Sequence, residues 1–177
     1  QRPLLLKKAI ESVLSQSYPY FQVCIYDNAS GDETEEIVRT FMKDDPRIKY
    51  QCHAENIGMM ANYQLALSQI ETPFFSLLSD DDFLLPLAFE TAVKGLEQFP
   101  DVAFSACATK IIDENGQFID APINGWKREG YFASREGIAE MIKKPFFPTG
   151  VLFNHSLVKD IEIDFSQEIQ LRWDTDY

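Results

Sequence analysis

Helical and extended patterns alternate along the first hundred residues, joined by connections only a few residues long. This constrains the chain more than any other feature, because short strand-helix-strand connections build an α/β sheet with right-handed crossovers. Pro3 to Gln16 carries apolar residues at Leu5, Leu6, Ala9, Ile10, Val13 and Leu14, a helical spacing with proline at its start. Phe21 to Tyr26 reads as a strand and Asp27 to Asp32 as a polar turn. Asp32 stands where a helix N-cap belongs, with Glu35 as its capping-box partner for a helix over Glu33–Met42. A strand Arg47–Cys52 follows, then a helix entered through Asn56-Ile57-Gly58 and running to about Ile70. Pro73–Leu78 is a third strand, and a helix starting at Leu84-Leu85-Pro86 runs to about Gln98. Val102–Ile112 is expected as a further strand, with a turn at Asn115-Gly116. Beyond about Ile119 the pattern is more irregular, with a helix Arg135–Lys143 capped by Ser134 and a strand Thr149–Phe153.

The 177 residues suffice for one well-buried core and are few for two, so residues 1–177 are read as a single domain. A hydrophobic content of 45% with 13% aromatic residues excludes a disordered chain. The formal net charge of −12 argues against a nucleic-acid or anionic-membrane surface. Cys24, Cys52 and Cys107 are odd in number and widely spaced, and read as reduced thiols in the core and in a reducing compartment. His53 and His155 are isolated and read as structural or surface residues. No apolar run approaches the roughly 18 residues that would span a bilayer, and both ends of the chain look cut, as in a piece of a longer protein.

The run Phe74-Phe75-Ser76-Leu77-Leu78 stops abruptly at Asp80-Asp81-Asp82. Adjacent carboxylates about 5 Å apart repel by roughly 3 kcal/mol per pair at an effective dielectric near 20. A divalent cation is the expected offset to that repulsion, and oxygen ligands without His or Cys favour Mg²⁺, Mn²⁺ or Ca²⁺ over zinc. Asp27 also follows directly on a strand, so both acids fall at the carboxyl edge of the sheet, where ligands of open α/β sheets sit.

In order along the chain stand Ala9-Ile10-Glu11-Ser12-Val13-Leu14-Ser15-Gln16, then Asp27-Asn28-Ala29-Ser30-Gly31-Asp32, then Asn56-Ile57-Gly58 with Ala61-Asn62, then Leu78-Ser79-Asp80-Asp81-Asp82. This series resembles the family 2 glycosyltransferases, closely over residues 2–110 and loosely beyond. The resemblance implies a GT-A fold, with a mostly parallel sheet flanked by helices. Residues 1–112 would form the nucleotide-binding half and residues 113–177 the acceptor side. The family's first strand would be missing upstream of Gln1. The activity implied is transfer of a sugar, with inversion, from a nucleotide-diphosphate donor, most often a UDP-sugar, to a glycan or lipid-linked acceptor. A divalent Mg²⁺ or Mn²⁺ would assist, and the site of action would be the cytoplasm or the inner face of the plasma membrane.

By the same resemblance Asp82 and Asp80 would hold the metal, Asp80 also serving the ribose or metal-bound water, and Asp81 would lie beside them. Asp27 would read the base, with Asn28, Asn56 and Asn62 toward the nucleotide. Asn62 follows Ala61 where relatives often carry Arg-Asn. Asp176, with Asp174 as its alternative, matches the family's general base in Trp173-Asp174-Thr175-Asp176-Tyr177. Pro148-Thr149-Gly150 would face the acceptor, and Trp126 or Trp173 could stack on a sugar. No G-x-G-x-x-G follows a strand, which disfavours a dinucleotide-binding enzyme. The rival reading from another class is a sugar-nucleotide or glycan-binding module without turnover.

Overall fold

A computed structural model describes residues 2–121, 130–143, 149 and 151–159. Helix α1, Pro3–Leu14, turns Leu6, Ala9, Ile10 and Val13 inward. That is the i, i+3, i+4, i+7 stripe of a helix lying on a sheet. Strand β1 (Val23–Asp27) pairs in parallel with β2 (Ile48–Cys52), in register from Val23 opposite Ile48 to Asp27 opposite Cys52. Helix α2, Thr34–Asp44, is the crossover between them. Leu6, Ile10, Val38 and Ile48 form the core beneath this unit, with Val23, Ile25, Phe41 and Tyr50 packed against them. The strand–helix alternation therefore produces the crossover that it implies.

Helix α3, Met59–Ser68, follows β2. A second sheet is built from β3 (Phe74–Phe75), β4 (Phe104–Ala106) and β7 (Val151–Asn154), with β7 in the middle and antiparallel to both neighbours. Helix α4, Ala88–Gln98, covers it, burying Ala92, Val93 and Leu96 together with Leu152. Strands β5 (Ile111–Ile112) and β6 (Phe118–Asp120) form a hairpin around Asn115-Gly116. Gly116 there has φ +79°, which glycine adopts without cost. Helices α5 (Ser134–Lys143) and α6 (His155–Val158) complete the described elements. No described helix is long and apolar enough to cross a membrane.

The two halves are tied by one buried side chain, Gln16. Its Nε2 donates to the carbonyls of Ser12 and Leu85, and its Oε1 accepts from the Phe89 amide. All its polar atoms are thereby used, which is what burial of an amide requires. Ser12 adds a second tie, its hydroxyl accepting from the Leu84 amide.

Five expectations change. The parallel ladder is confined, among the described residues, to β1 and β2, while the remaining ladders are antiparallel. The expected strand Pro73–Leu78 shortens to Phe74–Phe75, because β7 meets β3 only through Phe153 and Asn154. Val102–Ile112 divides between β4 and β5. The capping box is not formed: Asp32 Oδ1 does accept the Thr34 amide, but Glu35 turns to Arg39 one helical turn on, at 2.6 Å. Nor are the cysteines core thiols as a group. Cys24 and Cys52 are exposed and Cys107 is half-buried, all unpaired. Val23 and Ile25 face inward, so the two-residue period of β1 turns Cys24 outward.

Leu96 is 1% exposed and central to the second core. Leu96→Ala is expected to lower unfolding free energy by about 2–5 kcal/mol, the range for a buried leucine that leaves a cavity. Urea denaturation monitored by circular dichroism measures it; a loss under about 1 kcal/mol would mean that α4 is not seated as described.

Candidate functional site

Strand geometry makes the first cluster. Val23, Ile25 and Asp27 share one face of β1, so a carboxylate ends a face whose other members are packed in the core. Asp27 is 6% exposed. A carboxylate so placed needs hydrogen-bond donors, and it has them. The Tyr50 hydroxyl donates to Asp27 Oδ2 at 2.6 Å and the Ser30 amide donates to Oδ1 at 2.9 Å. Burial pushes the Asp27 carboxyl upward, but hydrogen bonds from Tyr50, Ser30 and Cys52 outweigh it and hold it below the usual carboxylate range. Burial, then the bond to Asp27, pushes the Tyr50 hydroxyl well above the ordinary tyrosine range. The pair is thus a neutral donor on an ionised acceptor.

The turn after Asp27 passes through left-handed backbone at Ala29 (φ 59°) and Gly31 (φ 67°) before Asp32 Oδ1 accepts the Thr34 amide; the N-cap of α2 is Glu33, not Asp32 as expected. With the ends of β1 and β2 it encloses a cleft of about 230 Å³. Asp27, Asp32, Glu35, Tyr50, Cys52 and His53 line it. Three of these carry carboxylates, and no Lys or Arg is among the described lining residues. Asp32 Oδ2 is buried with no hydrogen-bond partner among the described residues. Such a cleft repels phosphate and suits an uncharged ring that presents N–H donors.

The three asparagines named from the sequence bind the loops around this cleft to one another. Asn28 Nδ2 donates to Asn56 Oδ1 at 2.9 Å, the Ile57 amide donates to Asn28 Oδ1, and the Gly58 amide to Asn56 Oδ1. Asn62 Nδ2 donates to the Tyr26 carbonyl and its Oδ1 meets His53 Nε2 at 2.9 Å. With Nδ2 on a carbonyl, Oδ1 faces the imidazole, so His53 Nε2 carries the proton. These side chains fix the β1–α2 and β2–α3 loops relative to each other.

The acidic run after β3 is a separate cluster: it follows a strand of the other sheet, and none of its three acids lines the cleft around Asp27. Arg2, just before α1, places Nη2 2.7 Å from Asp80 Oδ1, Nε 3.3 Å from Asp80 Oδ2, and Nη1 2.5 Å from Asp81 Oδ2. Asp82 Oδ2 accepts the Thr149 hydroxyl at 2.5 Å. A guanidinium therefore offsets the mutual repulsion of Asp80 and Asp81, the part that the sequence reading gives to a metal. All three partners are about half exposed, so the pairs themselves contribute little to stability.

No group of three or more acidic, His or Cys side chains converges as a metal cage among the described residues. The donor chemistry nevertheless fits a hard divalent ion, since Asp80 and Asp82 offer carboxylate oxygens on a partly exposed loop. Asp174, Asp176, Trp126, Trp173, Pro148 and Gly150 lie outside the described residues.

Sequence reasoning missed Tyr50 and Arg2 as site residues and took His53 as structural or surface. Tyr50 shares the cleft face of β2 with Cys52, which lies directly beside Asp27, but only the observed register shows it.

The family model for glycosyl transferase family 2 matches residues 1–161. The GalNAc(5)-diNAcBac-PP-undecaprenol beta-1,3-glucosyltransferase of Campylobacter jejuni is 32% identical over 116 residues, covering 65% of this chain and 37% of that protein. Among solved structures, Staphylococcus aureus TarS superposes with a TM-score of 0.67 at 19% identity, covering 88% of this chain and 44% of that one. The mannosyltransferase PcManGT of Pyrobaculum calidifontis, in complex with GDP-Man and Mn²⁺, superposes with a TM-score of 0.55 at 23% identity, over 62% of this chain and 32% of that one. The chain spans about two-fifths of the length of the first of these relatives. The α/β architecture is the GT-A fold. With the family model matched over nearly the whole chain, this protein belongs to glycosyl transferase family 2.

Proposed function

We propose that the protein transfers a sugar from a nucleotide-diphosphate donor to an acceptor hydroxyl with inversion, assisted by a divalent metal ion, in the synthesis of cell-envelope glycan. The observation that carries this reading is the acid-lined cleft around Asp27, a buried ionised carboxylate facing a space that suits a nucleobase. In this reading Asp27 accepts an N–H of the base, and Asn28, Asn56 and Asn62 hold the loops that frame it. Asp82 and Asp80 hold Mg²⁺ or Mn²⁺, for which Arg2 releases Asp80; Asp81 keeps Arg2 nearby. A cation bound there supplies charge stabilisation for the leaving diphosphate. Asp176, with Asp174 as its alternative, removes the acceptor proton. The donor is a UDP-sugar, a reading supported by TarS solved in complex with UDP-GlcNAc, and the acceptor is a lipid-linked glycan, supported by the Campylobacter jejuni relative whose name includes an undecaprenol-linked substrate. The setting is the cytoplasm or the inner face of the plasma membrane.

Cys52 gives a direct test of where the base sits, since its thiol is exposed and lines the cleft, while the exposed Cys24 does not. With Mn²⁺ present, UDP at ten times its dissociation constant is expected to slow alkylation of Cys52 by iodoacetamide about tenfold and to leave Cys24 unchanged. Peptide mass spectrometry reads both rates. Unaltered Cys52 labelling under saturating UDP and GDP would place the base elsewhere.

A further inference from the structure

We propose that Tyr50 is a positioning residue for the nucleobase: its hydroxyl, given to Asp27 Oδ2, holds the carboxylate charged and oriented so that it accepts a base N–H in the cleft. The inference rests on the reading of the cleft as a nucleotide site.

Three observations carry it. Tyr50 bridges the core and the cleft, its ring packed against the cluster of Leu6, Ile10, Val38 and Ile48 while the residue lines the open side. Its hydroxyl has a 2.6 Å bond to a carboxylate that is otherwise almost closed to water. Asp27 is held on both oxygens, by Tyr50 on Oδ2 and by the Ser30 amide on Oδ1, which leaves each oxygen further acceptor capacity but little rotational freedom. A preorganised acceptor of that kind reads an imide or amide N–H without reorganisation on binding.

The sign of the pH effect follows from the same geometry. Asp27 accepts an N–H as a carboxylate, so nucleotide affinity falls as pH drops through its folded value. Removing the Tyr50 donor removes one of the bonds that hold Asp27 low, so that fall moves to higher pH. The other titratable groups facing Asp27 are Asp32 and Glu35 from the α2 side and Cys52 and His53 from the β2 side. All of them persist in the variants below, and their contributions cancel on comparison.

The test measures UDP and GDP affinity in Mn²⁺ by calorimetry from pH 8 down through the ordinary carboxylate range to about pH 3, in wild type, Tyr50→Phe, Asp27→Asn and the double variant. Dividing variant by wild-type constants at each pH removes the titration of the phosphates. Tyr50→Phe is expected to bind about three- to tenfold more weakly near neutrality, the scale of one hydrogen bond. Its acid loss begins at higher pH than in wild type. In the Asp27→Asn background, replacing Tyr50 produces no such displacement. An acid limb in Tyr50→Phe that coincides with wild type overturns the role of Tyr50 while leaving the nucleotide site standing. Failure of wild type to bind either nucleotide overturns both. Should Tyr50→Phe not fold, 3-fluorotyrosine introduced at position 50 alone makes the hydroxyl a stronger donor, and the acid limb then moves to lower pH; an unmoved limb overturns the assignment.

Discussion

Asp82→Asn is expected to lower sugar transfer by three orders of magnitude or more, with Mn²⁺ affinity falling in parallel. The scale is that of a cation worth several kcal/mol at a developing diphosphate charge. Asparagine is the informative replacement, because its carbonyl oxygen can still accept the Thr149 hydroxyl that Asp82 Oδ2 accepts in the native chain. The loop after β3 then keeps its tie to the segment before β7, and only the charge is lost. Manganese binding followed by electron paramagnetic resonance, beside turnover of a nucleotide sugar, separates the two effects. Thr149→Val provides the complementary case: the charge stays and its anchor goes, so the metal should bind only a few-fold more weakly. An Asp82→Asn protein that keeps native Mn²⁺ affinity would remove Asp82 from the metal site.

The architecture that frames these residues was legible where a local pattern decides structure. The apolar stripe of α1 and the proline at its start predict a helix over Pro3–Gln16, and the structure stops it two residues earlier, at Leu14. The strand–helix alternation between Phe21 and Cys52 gives the parallel β1–β2 pair directly. Local rules failed where one residue had two partners to choose from. Glu35 could close a capping box or pair with Arg39, and the helical ion pair won. Cys24 lies in an apolar run and yet faces out, because the inward positions of β1 fall to Val23 and Ile25.

Contacts across long stretches of chain were the least legible. The repulsion within Asp80-Asp81-Asp82 leads to the expectation of a metal ion, and nothing local says that Arg2, 78 residues away from Asp80, pairs with Asp80 and Asp81. The Tyr50–Asp27 bond is of the same kind, since it depends on a register between strands that the sequence leaves open. The contacts of the asparagines are equally out of reach of local rules. Asn28, Asn56 and Asn62 gather at the cleft end of the sheet, and their amides are engaged with one another and with the backbone.

The acids of the two clusters are engaged as well. Asp27 is fixed by Tyr50 and Ser30, Asp32 Oδ1 accepts the Thr34 amide, Glu35 pairs with Arg39, Asp80 and Asp81 hold Arg2, and Asp82 holds Thr149. A carboxylate with one such partner keeps lone pairs free, and Asp32 Oδ2 has no partner among the described residues, so these engagements do not themselves choose the base. The proposal for the base stays with Asp176 and its neighbour Asp174. Asp176→Asn is expected to lower kcat by about 10²- to 10⁴-fold, the range for loss of a positioned base, while the donor dissociation constant stays within a few-fold of wild type. Asp174→Asn, made in parallel, should cost far less if Asp176 is the base, and the reverse order would exchange their roles. Donor calorimetry and single-turnover transfer measured on the same samples decide between chemistry and binding. A loss of donor affinity as large as the loss of rate would move Asp176 from the acceptor hydroxyl to the donor site, and the proton would then need another acceptor.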